Sequence, residues 1–283
     1  RHLPEHRVRY SPDFDAEYTR RISIITELKQ ALHSDSPELS LVYQPKLCLD
    51  TSSISHAEAL MRWTSKTLGF VSPDEFILVA EQAGLIGAVT DWVVKRAIND
   101  TKTFVDNNIE VCVAINLSAK DILNKSLLPQ IKSRIAEAEL SPTQLSFEIT
   151  ESDLVSDAQG VYSELGLYRD AGFTLAIDDF GTGYSSLSYL KSLPVNELKI
   201  DKSFVLNLDK NQSDQQIVKT IIDLAHNFDL KVIAEGVETL PSLSLLEQWG
   251  CNYAQGYLIS RPVPVEQFIK WYKENKNTDW LSQ

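Results

Sequence analysis

From Leu39 to the end of the chain, short β-branched or aromatic runs alternate with longer amphipathic stretches, and this alternation narrows the fold more than any other feature. Strands are predicted at Leu41 to Leu49, Ile54 to Arg62, Val111 to Leu117, Leu145 to Thr150, Thr174 to Asp179, Glu197 to Ile200, Lys231 to Gly236 and Tyr253 to Leu258. The spacing predicts helices between them at Pro73 to Ala83, Ile86 to Asn107, Pro129 to Ala138, Ser152 to Ala171, Asp214 to Phe228, Pro241 to Trp249 and Pro264 to Lys273. Repeated β-α units of this kind suit one closed α/β barrel, a fold of about 250 residues. Only the first two strands lack an intervening helix, so that pair is compatible with a hairpin and an antiparallel first strand. With 283 residues, 43% of them hydrophobic, the chain can bury one large core.

Residues 1 to 38 differ in character. Asp13 to Leu32 sets Ile22, Ile25, Leu28 and Leu32 on one helical face, flanked by Arg20, Arg21 and Lys29. Two readings stay open: a helix packed on the barrel, or a linker helix leading in from an upstream domain. Ser34-Asp35-Ser36-Pro37 then breaks it, and the barrel is expected over residues 39 to 283. The first residue is Arg1, which fits a fragment whose tether or targeting signal lies elsewhere.

A net charge of -12 with no dense Lys/Arg stretch argues against a groove for a nucleic-acid polymer. Cys48, Cys112 and Cys251 are odd in number and show no Cys-x-x-Cys spacing, as in a reduced, cytoplasmic protein. No apolar stretch approaches the ~18 residues of a membrane span, and no signal peptide is visible.

The polar residues that interrupt the predicted strands carry the chemistry. Asp178 and Asp179 close an apolar run and open the loop Phe180-Gly181-Thr182-Gly183-Tyr184-Ser185-Ser186. At ~4 Å and an effective dielectric of ~20, two such charges repel by roughly 4 kcal/mol, so a cation is expected between them. Alone, such a pair is more often a solvated turn or a helix cap. Repetition changes that: Glu58, Asn116, Glu148, Lys199, Glu235 and Gln255 also fall near strand C-termini, where barrel active sites are built. Carboxylates recurring in apolar strands need a shared cation or pairing partners. Oxygen-only ligands, Glu58, Asn116, Glu148, Asp178 and Asp179, point to Mg²⁺ or Mn²⁺ rather than zinc. Of the histidines only His56 lies near them, where a ligand role competes with a surface or hydrogen-bonding one. The adjacent aspartates suit two ions ~4 Å apart, the geometry of an in-line phosphoryl displacement. Lys199 either snorkels to the surface or orients the nucleophilic water among the acids. Arg62 either forks onto a phosphate or packs on Trp63 in solvent.

At these residues the chain resembles the EAL-domain family of cyclic di-GMP phosphodiesterases. The likeness runs from about Leu39 to Arg261. It is carried by Tyr43-Gln44-Pro45, Glu58-Ala59-Leu60 with Arg62-Trp63, Pro73-Asp74-Glu75-Phe76-Ile77, Asn116-Leu117-Ser118 and Phe147-Glu148-Ile149-Thr150-Glu151. Asp178 to Leu187, Lys199-Ile200-Asp201, Ala234-Glu235-Gly236-Val237-Glu238 and Gln255-Gly256-Tyr257 complete it. The resemblance implies a TIM-like (β/α)8 barrel with a reversed first strand, and hydrolysis of cyclic di-GMP to linear pGpG. By motif match, Glu58, Asn116, Glu148 and Asp178 hold one metal, and Asp178 with Asp179 engages a second. Lys199 and Glu235 position the water or support its metal, while Gln44, Leu60, Arg62 and Gln255 contact substrate. Glu151 resembles the residue that braces the glycine-rich loop, though alone it could cap the following helix. In the family that loop, Asp179 to Leu187, is linked to metal occupancy and to dimer contacts. The leading segment, with Tyr10, Arg20 and Arg21, resembles the end of a GGDEF domain and its connector. Thr64-Ser65-Lys66 replaces a common His-Pro step and touches no catalytic role. Barrels of this type that bind the nucleotide without cutting it are the alternative, and a scaffold with a vestigial pocket is a third reading. The first typically lacks a ligand, the lysine or the loop sequence, all of which are present here.

Overall fold

The structure of the chain, a computed structural model, describes residues 12–156, 158–183, 190–278 and 280. Its strands are β1 (Leu39–Cys48), β2 (Ser53–Ser65), β3 (Gly69–Val71), β4 (Cys112–Asn116), β5 (Leu145–Thr150), β6 (Thr174–Phe180), β7 (Glu197–Ile200), β8 (Lys231–Ala234) and β9 (Tyr253–Ala254). The helices are α1 (Pro12–His33), α2 (Pro73–Gln82), α3 (Ile86–Asp106), α4 (Ala119–Ile122), α5 (Leu127–Glu137), α6 (Glu151–Ser156), α7 (Ala158–Asp170), α8 (Lys202–Val205), α9 (Gln212–His226), α10 (Leu240–Gln248) and α11 (Val265–Asn275).

Two compact units partition the chain: Arg1–Ser40 with Arg62–Val89, and Leu41–Met61 with Thr90–Gln283. In the smaller, the last residues of β2 turn back into β3 in antiparallel register, Trp63 opposite Val71 and Ser65 opposite Gly69. Gly69 makes that turn with φ +70°, and the short strand was not foreseen because three residues are too few to show a period. Trp63, fully buried, stands edge-on to Phe76 of α2 at 5.9 Å. Ser72 caps α2 by accepting from Glu75 N–H, with Pro73 in the first turn where its missing N–H costs nothing. The Arg20 guanidinium of α1 forks onto the Glu75 carboxylate. The Ser65 and Thr67 hydroxyls donate to Glu27.

In the larger unit the strands follow the order β1-β9-β8-β7-β6-β5-β4-β2, and pairing of β1 with β2 closes the ring. Every pair from β2 round to β9 is parallel; β1 alone runs antiparallel to β9. This is the (β/α)8 barrel with a reversed first strand that the sequence implies. The parallel strands are short and buried on both faces, which explains why they read as near-continuous apolar runs. Outer helices offer one apolar stripe each: Val218, Ile221, Ile222 and Ala225 on α9, and Leu127, Ile131 and Ile135 on α5. Asn211 caps α9 through the N–H groups of Ser213 and Asp214, and Ser118 with Asp121 forms a capping box on α4. The single helix expected over Ser152 to Ala171 is two, α6 and α7, with Asp157 outside the described residues. Among the described residues no helix is long and apolar enough to cross a membrane.

Candidate active site

Several barrel strands bury polar side chains at alternate positions. On β1 these are Gln44 and Lys46, on β2 Glu58, on β5 Ser146 and Glu148, on β7 Glu197 and Lys199, all buried. Spacing of two residues is what a strand requires for a shared face. Asp178 and Asp179 break this rule. The β6–β7 register pairs Ile177 with Leu198 but Phe180 with Ile200, so two aspartates stand opposite one lysine, Lys199. That is a bulge, a device that re-aims side chains beside active sites. Asp179 sits in it at φ 54°, a backbone conformation that a non-glycine residue adopts only when its surroundings impose it. Asp178 Oδ1 accepts the Asp179 N–H at 2.9 Å.

Lys199 is the hub. Its fully buried ammonium lies 2.5 Å from Glu148 Oε2, 2.7 Å from Glu235 Oε1, 3.0 Å from Asp178 Oδ1 and 3.8 Å from Glu58 Oε2. The snorkelling alternative is thereby excluded. Burial alone would lower the Lys199 pKa, and the surrounding carboxylates more than reverse it, holding it well above the usual lysine range. Glu58 is fixed by two amides: Asn116 Nδ2 donates to Oε1 at 2.9 Å and Gln255 Nε2 to Oε2 at 2.6 Å. The same Gln255 amide donates to Gln44 Oε1 at 3.1 Å, and Gln44 Nε2 to the Ser260 carbonyl at 3.1 Å. Gln255 Oε1 is buried without a partner.

Two overlapping acid groups result. Glu58, Glu148 and Asp178 offer carboxylate oxygens within 4.8 Å of one another, and so do Asp178, Asp179 and Glu235. Burial, then the neighbouring Asp178 and Glu58, pushes the Glu235 carboxyl up to about 8, with Lys199 opposing. Burial and the charges of Asp178 and Asp201 push Asp179 up to about 6. Burial is the larger cause in both, and the like charges beside each acid add to it. The donor set is all oxygen, which fits a hard divalent ion.

The sequence-predicted residues Gln44, Glu58, Asn116, Glu148, Asp178, Asp179, Lys199, Glu235 and Gln255 therefore converge at one end of the barrel. Leu60 is half-buried, two residues beyond Glu58 on β2, and Arg62, also half-buried, belongs to the smaller unit. Glu151 is buried, and its Oε2 accepts the Gly181 N–H at 2.9 Å. A Cβ on Gly183 would come within 2.7 Å of the same carboxylate, so this stretch of loop is built against Glu151. Residues 184–187 of the loop lie outside the described residues. His56 makes the contacts of the hydrogen-bonding reading: its Nδ1 pairs with Ser55 Oγ and its ring meets Tyr253 edge-on at 4.8 Å. Burial pushes it down to about 3.

Sequence reasoning missed Lys46 and Glu197. Lys46 Nζ, fully buried, donates to Glu148 Oε1, the oxygen that Lys199 leaves free. Burial opposes its charge, but the field of Glu148 first, then of Glu58 and Glu197, raises its pKa. Parity held the signal: Lys46 lies two residues from Gln44, and Glu197 two from Lys199.

Comparison with known proteins agrees with this geometry. The EAL domain family model matches residues 25–262. The chain is 38% identical over 265 residues to the cyclic di-GMP phosphodiesterase PA2567 of Pseudomonas aeruginosa, covering 94% of this chain and 45% of that protein. It is 39% identical over 259 residues to the cyclic di-GMP phosphodiesterase NbdA of the same organism, covering 90% and 33%. The chain thus spans less than half the length of these relatives. Among solved structures, PaMucR phosphodiesterase in complex with c-di-GMP superposes with a TM-score of 0.81 at 37% identity, over 87% of this chain and 99% of that one. The FimX EAL domain from Pseudomonas aeruginosa bound to c-di-GMP gives 0.75 at 29%, over 85% and 96%. With its barrel closed, its acids convergent and the family model spanning most of its length, the chain belongs to the EAL-domain family.

Proposed function

We propose that this chain hydrolyses one phosphodiester of cyclic di-GMP to linear pGpG, and so acts as a cyclic-guanylate-specific phosphodiesterase. The observation that carries this reading is the convergence of Glu58, Glu148, Asp178 and Glu235 on Lys199 at the C-terminal ends of the parallel strands. The names of the relatives PA2567 and NbdA support the substrate.

Glu58, Asn116, Glu148 and Asp178 would hold one Mg²⁺ or Mn²⁺, and Asp178 with Asp179 a second. A bound divalent cation supplies Lewis acidity that offsets charge on the phosphate oxygens during displacement. Lys199 keeps its proton and aims N–H donors at the attacking water, with Glu235 beside it. The water oxygen bonds to phosphorus as the ester bond opposite it breaks; the water releases one proton to solvent and the departing ribose oxygen takes one up from solvent, so the step balances with Lys199 unchanged. Gln255 offers its unpartnered Oε1 to a donor on the nucleotide, with Gln44 alongside. Leu60 supplies an apolar contact, and the Arg62 fork suits a phosphate oxygen. Glu151 braces the loop at Gly181. In the whole protein we place the barrel in the cytoplasm, behind a GGDEF-like domain joined through residues 1–38, and paired as a homodimer.

The test is mass-resolved conversion of cyclic di-GMP by the purified chain with Mg²⁺ or Mn²⁺, and its loss on chelation. Release of pGpG is expected. Tight binding without turnover would make the chain a receptor, and no binding a scaffold.

A further inference from the structure

Lys46 belongs to no motif of the family resemblance, yet it is among the most buried charged residues in the chain, at 1% exposure. It comes from β1, the reversed strand of the barrel, and reaches Glu148 on β5. Both oxygens of Glu148 are consequently engaged by ammonium groups, Oε1 by Lys46 and Oε2 by Lys199. The two lysines do not play the same part. Among the described residues Lys199 contacts four carboxylates, whereas Lys46 is within ion-pair distance of Glu148 alone.

A carboxylate held at one oxygen can still swing about its last torsion, a broad and soft rotation. One held at both cannot. We propose that Lys46 is a positioning residue for the cation-binding cluster: by holding Glu148 Oε1, it fixes the carboxylate plane and leaves Oε2 as the oxygen directed towards Lys199 and its acids. Ligand geometry in such sites is set by partners behind the ligand, and their loss degrades activity without removing a ligating atom. This inference rests on the phosphodiesterase reading for its kinetic arm but not for its spectroscopic one.

The experiment compares the unsubstituted chain with Lys46→Met and Lys46→Gln, the first removing charge and donor, the second keeping a neutral donor. Mn²⁺ is the probe. The electron paramagnetic resonance spectrum of bound Mn²⁺ reports ligand geometry whether or not turnover occurs. Lys46→Met is expected to alter that spectrum and, at saturating Mn²⁺, to lower kcat about tenfold or more with KM for cyclic di-GMP within threefold. Lys46→Gln should lie between it and the unsubstituted chain in both. A native Mn²⁺ spectrum in whichever variant folds, or kcat within twofold in both, would overturn the proposal. So would failure of the unsubstituted chain to bind Mn²⁺. If that chain binds Mn²⁺ but does not turn over, the phosphodiesterase reading falls and the spectrum alone decides the role of Lys46.

Discussion

Lys199 has no exposed surface and four carboxylate neighbours, so removing it does two things at once. It deletes the donor proposed to orient water, and it leaves buried negative charge uncompensated. Breaking a buried ion pair from one side typically costs about 3–5 kcal/mol, an effect that partial protonation of the acids reduces. Lys199→Ala is therefore expected to lower folding stability by a few kcal/mol and kcat by far more than nucleotide affinity. Chemical denaturation and steady-state kinetics check the two halves; a change confined to KM would make Lys199 a binding residue. Glu58 differs. It accepts from the neutral amides of Asn116 and Gln255 and is the most distant of the four carboxylates on Lys199, so Glu58→Ala removes one proposed ligand and one acceptor while three closer acids still pair with the lysine. Expected are a fold unchanged by circular dichroism and turnover reduced on the order of a hundredfold or more, the scale of losing a key electrostatic group. Activity like that of the unsubstituted chain would remove Glu58 from the ligand set. Much of this residue-level picture was legible in the sequence, because acids and a lysine inside apolar strands are costly enough to stand out. Lys46 was not, since a single lysine near a strand end is far more often a surface residue.

At the scale of elements, the strands were legible and their irregularities were not. Apolar runs predicted all the barrel strands, but no pattern announces that β6 bulges at Asp178 and Asp179, two residues set opposite the single Lys199. The bulge depends on register with β7, a nonlocal fact. Nor did spacing separate α6 from α7, or find four-residue helices such as α4 and α8, which are too short for a period. At the junction of β6 with its loop, the Glu151 carboxylate accepts the Gly181 N–H. Gly181 lies at φ +100°, with a Cβ there only 2.9 Å from the Phe204 ring, so the chain has little freedom to find another partner. Glu151→Ala should weaken Mn²⁺ binding severalfold while leaving secondary structure unchanged, measured by calorimetric titration and circular dichroism. Unaltered Mn²⁺ affinity would reduce Glu151 to a helix-terminal residue. The cysteines give a second check on strand burial. Burial pushes the thiols of Cys112 on β4 and Cys251 before β9 up to about 12, so thiolate is scarce at pH 8. Both are expected to resist alkylation at that pH in the native protein and to react once it is unfolded. Rapid native labelling of either would contradict the strand placement.

The barrel as a whole closes through its odd strand. β1 meets β9 antiparallel and carries both Gln44 and Lys46, so the site depends on how firmly that strand is seated. Its anchor on the outward face is Tyr43, which is fully buried. The ring stands edge-on to Phe104 of α3 at 5.1 Å and to Phe268 of α11 at 6.2 Å. The Tyr43 hydroxyl donates to Asp100 Oδ2 at 2.8 Å, and Asp100 also pairs with Arg96 along α3. Strand and helix are thus joined by one buried hydrogen bond within an aromatic contact. Tyr43→Phe keeps the rings and the volume and removes only the hydroxyl. Losing a buried bond to a charged acceptor costs about 1.5–3 kcal/mol, moderated here because Arg96 remains on Asp100. The variant should therefore unfold at lower denaturant with an unchanged slope, about 1–2 kcal/mol less stable, while its folded fraction keeps kcat within twofold. If kcat instead fell in step with Lys46→Met, the tyrosine would be setting the position of the β1 side chains inside the barrel. That outcome would tie the site to the seating of β1 rather than to Lys46 alone.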